Sequence, residues 1–196
     1  LHLLSRRQRQ MCIRDRIRKK EDKPGIDILI DGDTKGERVF IPVVVSVSGM
    51  TDLVYNDFYI ADGADVTIVA GCGIHNSGCN ESRHDGIHTF HVGKNANVHY
   101  EEKHYGEGNG TGSRILNPVT NIEVGENSVF TLDTVQIKGV DSTVRNTNVS
   151  MEAGSKLYVI ERIMTDGKQH AESNMEICMN GSGSSAQIVS LSLIHI

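Results

Sequence analysis

Short apolar stretches separated by turn residues run along most of the chain. Segments rich in Val, Ile, Thr, Phe and Tyr occupy 26–30, 39–47, 53–60 and 65–70 and continue to position 188, with Gly, Asn and Asp between them. β-branched and aromatic residues bounded by such turn residues are typical of strands. No segment of roughly eleven residues has apolar residues at the i, i+3, i+4, i+7 spacing of an amphipathic helix. The pattern therefore predicts an all-β chain.

A sequence repeat of about 30 residues organises these segments. Five glycines recur at spacings of 30, 32, 29 and 29 residues, namely Gly63, Gly93, Gly125, Gly154 and Gly183. Each precedes a small or apolar residue by three positions and a large apolar residue by five. The residues at the third position are Val66, Ala96, Ser128, Leu157 and Ala186, and those at the fifth are Ile68, Val98, Phe130, Val159 and Ile188.

The regular spacing of these turns indicates units that stack. One unit cannot bury its apolar face alone, so neighbouring units must cover each other, as in a solenoid. Alternate residues of each strand then point inward, which predicts one internal column of third-position residues and another of fifth-position residues. We interpret the chain as a parallel β-helix-like solenoid. The alternative fold is a β-sandwich in which the repeat arose by chance.

The two termini have a different character. Residues 11–16 and 191–196, when back-translated, give nucleotide strings that are reverse complements and match a transposon end used in sequencing-library adapters. We therefore interpret 1–16 and 191–196 as non-native adapter-derived tails and assign the β-helix core to 17–190. The alternative is a basic N-terminal arm for nucleic acid or membranes, because five Arg lie within the first sixteen residues.

Composition and charge exclude several classes of protein. Hydrophobic residues make up 38% of the chain and charged residues 23%, as in globular proteins, and no apolar run approaches the roughly 18 residues of a membrane helix. The net charge is -5, and it becomes -9 without residues 1–16. Such an acidic domain lacks the basic patch that nucleic acids require. An odd number of Cys outside the tails, without a signal peptide, predicts free thiols in the cytoplasm.

Cys and His residues are densest between positions 72 and 104. Cys72, His75 and Cys79 have a spacing that metal sites use, because thiolate and imidazole both bind zinc or iron. No Cys-x2-Cys pair accompanies them, so a closed structural zinc site is the weaker interpretation and Cys79 is a weak candidate ligand. Cys72 lies between two glycines, where we expect a turn to expose a reactive thiol with a modestly lowered pKa. His75 is then placed to stabilise the thiolate; the alternative for Cys72 is a small buried hydrophobe.

Other candidate motifs carry less chemistry. The glycine-rich segment 106–113 lacks the Lys-Ser/Thr of a phosphate loop and the G-x-G-x-x-G spacing, so we expect a flexible surface loop. Neither G-x-S-x-G nor H-E-x-x-H occurs. Glu101, Glu102 and scattered Asp residues are available as a glycosidase pair, but sequence does not fix their separation. Cys178 lies in an alternating strand without evident access, and we assign it no role.

Several segments, in their order along the chain, resemble the core of the SufB/SufD family of iron–sulfur cluster assembly scaffolds. The segments are 69–73, 92–100, 117–120, 125–128, 167–172 and 184–190. The resemblance covers 63–190 and implies a right-handed parallel β-helix. It also implies partners: a second SufB/SufD-type subunit in a homo- or heterodimer, a SufC-type ABC ATPase and a cysteine desulfurase system. The implied product is an iron–sulfur cluster, held transiently and passed to apoproteins.

The resemblance also implies a role for one cysteine. In SufB-like members a Cys in a Gly-Cys turn between repeat strands is implicated in accepting sulfur, and Cys72 stands there; Cys79 would be a second sulfur or metal ligand. The cluster-building residues of the family and its SufC-binding helices lie further toward the C-terminus, so we expect a truncated fragment. The alternative function is a carbohydrate-active or surface-binding β-helix. The low aromatic content, nine Phe and Tyr together, argues against this alternative, because sugar sites favour aromatic rings.

Overall fold

The computed structural model describes residues 16–195, which form fourteen strands and no helix. The strands are β1 (Arg16–Lys19), β2 (Gly25–Ile30), β3 (Lys35–Val45), β4 (Thr51–Ile60), β5 (Asp65–His75), β6 (Ser82–Val92), β7 (Asn97–Glu107), β8 (Arg114–Leu116), β9 (Val119–Val124), β10 (Val129–Lys138), β11 (Ser142–Met151), β12 (Lys156–Asp166), β13 (His170–Met179) and β14 (Ser185–His195). The predicted all-β class is confirmed. Within this range no apolar helix long enough to cross a membrane is present.

Two parallel sheets enclose the core. The first sheet has the order β1-β2-β4-β6-β8-β11-β13, with β9 also lying between β6 and β11. The second sheet has the order β14-β12-β10-β7-β5-β3. The chain alternates between the sheets, so one passage through both forms one coil of a solenoid, and only β1 pairs antiparallel. The predicted β-solenoid with repeats of about 30 residues is confirmed, and it has about six coils.

Two sets of turns connect the sheets. The first corner leads from the first sheet into the second and comprises 31–34, 61–64, 93–96, 125–128, 152–155 and 180–184. The second corner leads back and comprises 46–50, 76–81, 108–113, 139–141 and 167–169. The interior beside the first corner is apolar: Phe58 and Phe90 stack with ring centroids 4.4 Å apart, and Phe130 meets Phe90 edge-on at 5.2 Å.

The predicted internal columns have the correct face but the wrong register. Ile68 pairs with Tyr100 rather than with Val98. The two columns are Val66, Val98, Phe130, Leu157, Ala186 and Ile68, Tyr100, Leu132, Val159, Ile188. A displacement by two residues preserves the inward face, because side chains alternate with a period of two.

The turn residues explain this displacement. Gly63, Gly154 and Gly183 have left-handed backbones with φ of 74°, 68° and 72° at the first corner. The equivalent residues in the two coils between them are Asn95 and Asn127, with φ of 54° and 58°. Asn tolerates this conformation better than other residues with a side chain. Alignment on glycine alone therefore placed these two coils two residues out of register.

The glycine-rich segment 106–113 is packed rather than loose. At the second corner its backbone continues the parallel pairing, since Gly110 N donates to Asn76 O at 3.1 Å and Gly112 N donates to Gly78 O at 3.0 Å. A Cβ on Gly110 would lie 2.2 Å from the Gly78 carbonyl oxygen. These glycines allow two loop backbones to approach closely at the surface, and the expected flexibility of the segment stays a prediction.

The predicted tails fall only partly within the described residues. Residues 1–15 and 196 lie outside them. Arg16 is the first residue of β1 and pairs with Leu29 of β2. Residues 191–195 continue β14 and pair with 162–166 of β12, although the side chains of 191, 193 and 194 are more than half exposed. An alternating apolar segment beside an unpaired strand edge extends the sheet, so residues that we assign to the C-terminal tail form part of a strand. The adapter origin of both tails stays a prediction.

Candidate functional site

A polar zone lies in the interior between the apolar core at the first corner and a small apolar group at the second corner. Nine inward-facing residues form a buried group that we call the interior polar cluster: Asn56, Cys72, His84, His88, Tyr100, Glu102, His104, Arg145 and Glu161. Charged side chains are almost never fully buried unless they are paired, and each has a large desolvation cost. A solenoid core needs only apolar packing, so this concentration of ionisable groups marks the candidate functional site.

Strand alternation and register bring the cluster together. His84, Gly86 and His88 are the inward residues at successive alternate positions of β6, and β7 presents Tyr100, Glu102 and His104 in the same way. On β5, Cys72 is the residue directly paired with His104. Arg145 of β11 and Glu161 of β12 reach the cluster from later coils.

A chain of hydrogen bonds fixes one histidine in its neutral form. Asn56 Nδ2 lies 3.4 Å from His88 Nε2, and His88 Nδ1 lies 2.6 Å from the Tyr100 hydroxyl. Because the amide nitrogen of Asn56 is a donor, Nε2 accepts and the imidazole proton lies on Nδ1. Tyr100 in turn donates to Glu102 Oε1 at 3.0 Å. Burial lowers the pKa of His88 to about 4, against the opposing charge of Glu102, and burial together with Glu102 raises that of Tyr100.

Glu102 is the buried anion at the centre of the cluster. Its Oε2 lies 3.5 Å from Arg145 Nη1, and its Oε1 lies 3.5 Å from His104 Nε2. Arg145 Nη2 is 3.2 Å from His104 Nδ1; since guanidinium only donates, Nδ1 accepts and His104 carries its proton on Nε2. Burial alone would raise the pKa of Glu102, but His104 and Arg145 hold it well below its usual range.

Cys72 lies inside the solenoid and not in an exposed turn. Strand β5 runs through both flanking glycines to His75, and the Cys72 residue is only 3% exposed. Burial raises the pKa of its thiol, and the charge of Glu102 adds to the rise. The expected turn, exposure and lowered pKa are therefore wrong. Gly73 serves packing instead, because a Cβ there would lie 2.3 Å from the Tyr105 ring.

The other two predicted site residues face outward. The half-exposed His75 ring lies 2.8 Å from Ser77 Oγ and 3.3 Å from Glu107 Oε1, and it does not border the Cys72 thiol. Cys79 is exposed in the second-corner loop. Among residues 16–195, no three His, Cys, Asp or Glu side chains are arranged to hold a metal ion. Cys178 is also exposed on β13, so the order of accessibility that we expected for Cys72 and Cys178 is reversed.

The remaining members of the cluster were not predicted from the sequence. The alternation His84-x-Gly86-x-His88 is visible in the sequence and would have placed both imidazoles on one strand face. Arg145 and Glu161 had no such signal, because they reach Glu102 and His104 only through the stacking of later coils.

One comparison identifies the family. Residues 54–195 match the family model described as SUF system FeS cluster assembly, SufBD core domain. The chain belongs to the SufBD core family. The matched span contains the whole interior polar cluster, and the resemblance noted in the sequence is confirmed. No curated protein matches the chain.

Membership of the SufBD core family has a direct consequence. It assigns the chain to SUF iron–sulfur cluster assembly as a scaffold-type component of that system. The carbohydrate-active alternative loses its main support, since the β-helix is explained by the family itself.

Proposed function

We propose that the chain is a scaffold subunit of the SUF pathway that accepts sulfur at Cys72, inside its β-helix. The observation that carries this proposal is the position of Cys72 at one end of a buried group of ionisable side chains. An inert core thiol needs only apolar neighbours, whereas Cys72 pairs in register with His104. Cys72 also borders a narrow gap, which we call the Cys72 gap: it is lined by Cys72, His84, Gly86, His88, Glu102, His104, Leu116 and Pro118.

The proposed step is the transfer of a sulfane sulfur between cysteines. The Cys72 thiolate attacks the terminal sulfur of a persulfide on a donor protein of the cysteine desulfurase system. A new S–S bond forms at Cys72, the S–S bond of the donor breaks, and the donor cysteine leaves as a thiolate. The step is redox-neutral and leaves Cys72 as a persulfide.

The buried polar groups continue from Cys72 toward the C-terminal coils. Gln136 follows His104 in the column of Cys72, and Glu161 accepts hydrogen bonds from Ser173 at 2.7 Å and Ser190 at 2.9 Å. Within the described residues, Arg145 Nε and Nη1 and Gln136 Oε1 have no hydrogen-bond partner. Arg145 Nη1 lies 3.5 Å from Glu102 Oε2 and its Nε lies 3.9 Å from Glu161 Oε1, so the guanidinium is ion-paired but keeps donors for an anionic guest. We propose that sulfur passes through this interior toward the site where the cluster forms as product.

Access to Cys72 is part of the proposal. Because the thiol is buried with Val45, Ile74, Leu116 and Val140, a donor reaches it only when the second corner opens locally. Loops that open are drawn from the less stable parts of a fold. Delivery of sulfur would thus depend on a partner that stabilises the open corner.

We propose partners and a location from membership of the family. The SufBD core belongs to the SUF assembly system, which supports a second SufB/SufD-type subunit, a SufC-type ABC ATPase and a cysteine desulfurase system as partners, in the cytoplasm.

The test is sulfur transfer to the full chain from its desulfurase system, with Cys72→Ser compared with Cys178→Ser. We expect Cys72→Ser to abolish stable sulfur loading and Cys178→Ser to retain it, although Cys178 is the more exposed thiol. Full loading of Cys72→Ser, or loss of loading only in Cys178→Ser, would refute the assignment.

A further inference from the structure

A second histidine of the cluster has an unpaired ring nitrogen and lines the same gap as Cys72. His84 is 2% exposed, and its Nδ1 lies 2.8 Å from Asp52 Oδ2. Its Nε2 is buried and has no hydrogen-bond partner among the described residues. Both His84 and Cys72 line the Cys72 gap, which has no room for a water molecule. The unpaired nitrogen therefore has no solvent to satisfy it.

Protonation of the His84 ring follows from its partner. The Asp52 carboxylate only accepts hydrogen bonds, so Nδ1 of His84 carries a proton, and in the neutral ring Nε2 then presents a lone pair. In the other two imidazoles of the gap, the acceptor nitrogen already has a hydrogen-bond donor. Nε2 of His88 accepts from Asn56, and Nδ1 of His104 accepts from Arg145.

Gly86 leaves space for this lone pair. It lies between His84 and His88 on the inward face of β6, and a Cβ there would lie 3.3 Å from Nε2 of each ring. A side chain at this position would crowd the nitrogen atom. Among the gap-lining imidazoles within residues 16–195, that of His84 alone combines a carboxylate partner at one nitrogen with an unpaired second nitrogen.

We infer that His84, oriented by Asp52, is the general base that takes the proton of the Cys72 thiol during sulfur transfer. The inference rests on the proposed function for the identity of the reaction. The proton moves from Cys72 Sγ to His84 Nε2, the thiolate attacks the terminal sulfur of the donor persulfide, and the departing donor thiolate takes the proton back. Asp52 is a positioning residue, since it acts through the His84 ring.

The electrostatic surroundings explain why a base is required. Burial raises the pKa of Cys72, the charges of Glu102 and Asp52 raise it further, and Arg145 opposes them. Glu102 lies on β7, Asp52 on β4 and Arg145 on β11, and the neighbouring imidazoles are those of His84, His88 and His104. A thiol in this setting does not ionise by itself at neutral pH, so its reactivity depends on a base that acts at the moment of transfer.

The first experiment measures thiol reactivity without any donor protein. The full chain is alkylated with iodoacetamide at neutral pH, and the rate at the Cys72 peptide is followed by mass spectrometry. We expect His84→Gln to lower the rate about 100-fold and Asp52→Asn to lower it about 10-fold or more. His91→Gln is the matched control, because His91 lies on the same strand with Nδ1 2.7 Å from Glu123 Oε2, but it faces outward.

The dependence of the rate on pH separates a base from a structural role. Without His84, alkylation of Cys72 should rise in proportion to hydroxide concentration between about pH 6 and 9, whereas the unaltered protein should have a flatter profile. Asp52→Asn gives a second measurement if His84→Gln fails to fold, since the Asp52 side chain is partly exposed. Equal rates and parallel profiles in His84→Gln and the unaltered protein, or in Asp52→Asn and the unaltered protein, would overturn the inference.

A donor assay separates this inference from the proposed function. One outcome is that cysteine persulfide, a small donor, loads Cys72 in a reaction that depends on His84 while the desulfurase system does not load it. In that outcome the proposed function fails, but the role of His84 as general base is retained. If the desulfurase system loads Cys72 equally well in His84→Gln and Asp52→Asn, the proposed function stands and the inference is wrong.

Discussion

Replacing Phe130 by Ala tests the stacking of the coils at a central position. The side chain is 0% exposed, its ring meets Phe90 at 5.2 Å, and its backbone pairs with Val98 on one side and Leu157 on the other. Truncation of a buried Phe costs about 3–5 kcal/mol, and loss of the aromatic pair favours the upper part of that range. Domains are stable by only about 5–15 kcal/mol, so the variant should unfold at a much lower urea concentration.

The matched control is the same substitution at Phe40. That side chain is 54% exposed on the outer face of β3, so Phe40→Ala should change the free energy of unfolding by less than about 1 kcal/mol. Urea denaturation followed by circular dichroism measures both. A cost below about 1 kcal/mol for Phe130→Ala, or an equal cost for the two variants, would refute the internal columns.

Four further predictions concern the cluster, the corners and the tail. Glu102→Gln should destabilise the fold by about 3–5 kcal/mol in urea denaturation, because it leaves the buried Arg145 guanidinium without this carboxylate. Since the folded-state pKa of Glu102 is depressed, the stabilisation from its charge is present above the ordinary carboxyl pKa and is lost as the pH falls through the folded value. His88, with its pKa lowered to about 4, binds its proton more readily in the unfolded chain, so stability should fall as the pH drops from about 6.5 to 4, and NMR titration of the ring checks this. Gly110→Ala should lower the melting temperature because its Cβ would meet backbone at 2.2 Å, whereas Gly71→Ala, which has open space, should not. Deletion of 191–196 should lower the melting temperature only slightly, because it removes backbone pairing with β12 while the side chains of Leu191, Leu193 and Ile194 are more than half exposed.

The fold was predictable because its signals are local and repeated. Each left-handed turn has a small or amide residue, and each strand alternates, so the spacing of the five glycines indicated a solenoid, although only Gly63, Gly154 and Gly183 occupy equivalent positions. The register was not predictable from glycine alone, since Asn95 and Asn127 replace it in two coils. Family membership followed from the ordered segments that surround these turns.

The candidate site was predictable only in part. Cys72 was found from its sequence neighbours, but its burial depends on β5 continuing through both flanking glycines to His75. The exposed His75 and Cys79 were favoured because they are close in sequence. His84 and Arg145 join the cluster because parallel stacking brings inward residues of different coils together, and a single sequence contains little information on such distant contacts.

The most direct test of the account is the order in which the three cysteines of the described chain acquire sulfur. The unaltered full chain is mixed with its desulfurase system, and persulfide at Cys72, Cys79 and Cys178 is quantified by mass spectrometry over time. The account predicts that the buried Cys72 gains sulfur first and to the greatest extent, although the other two thiols are exposed. Loading that follows exposure, with Cys79 and Cys178 modified and Cys72 unchanged, would contradict it.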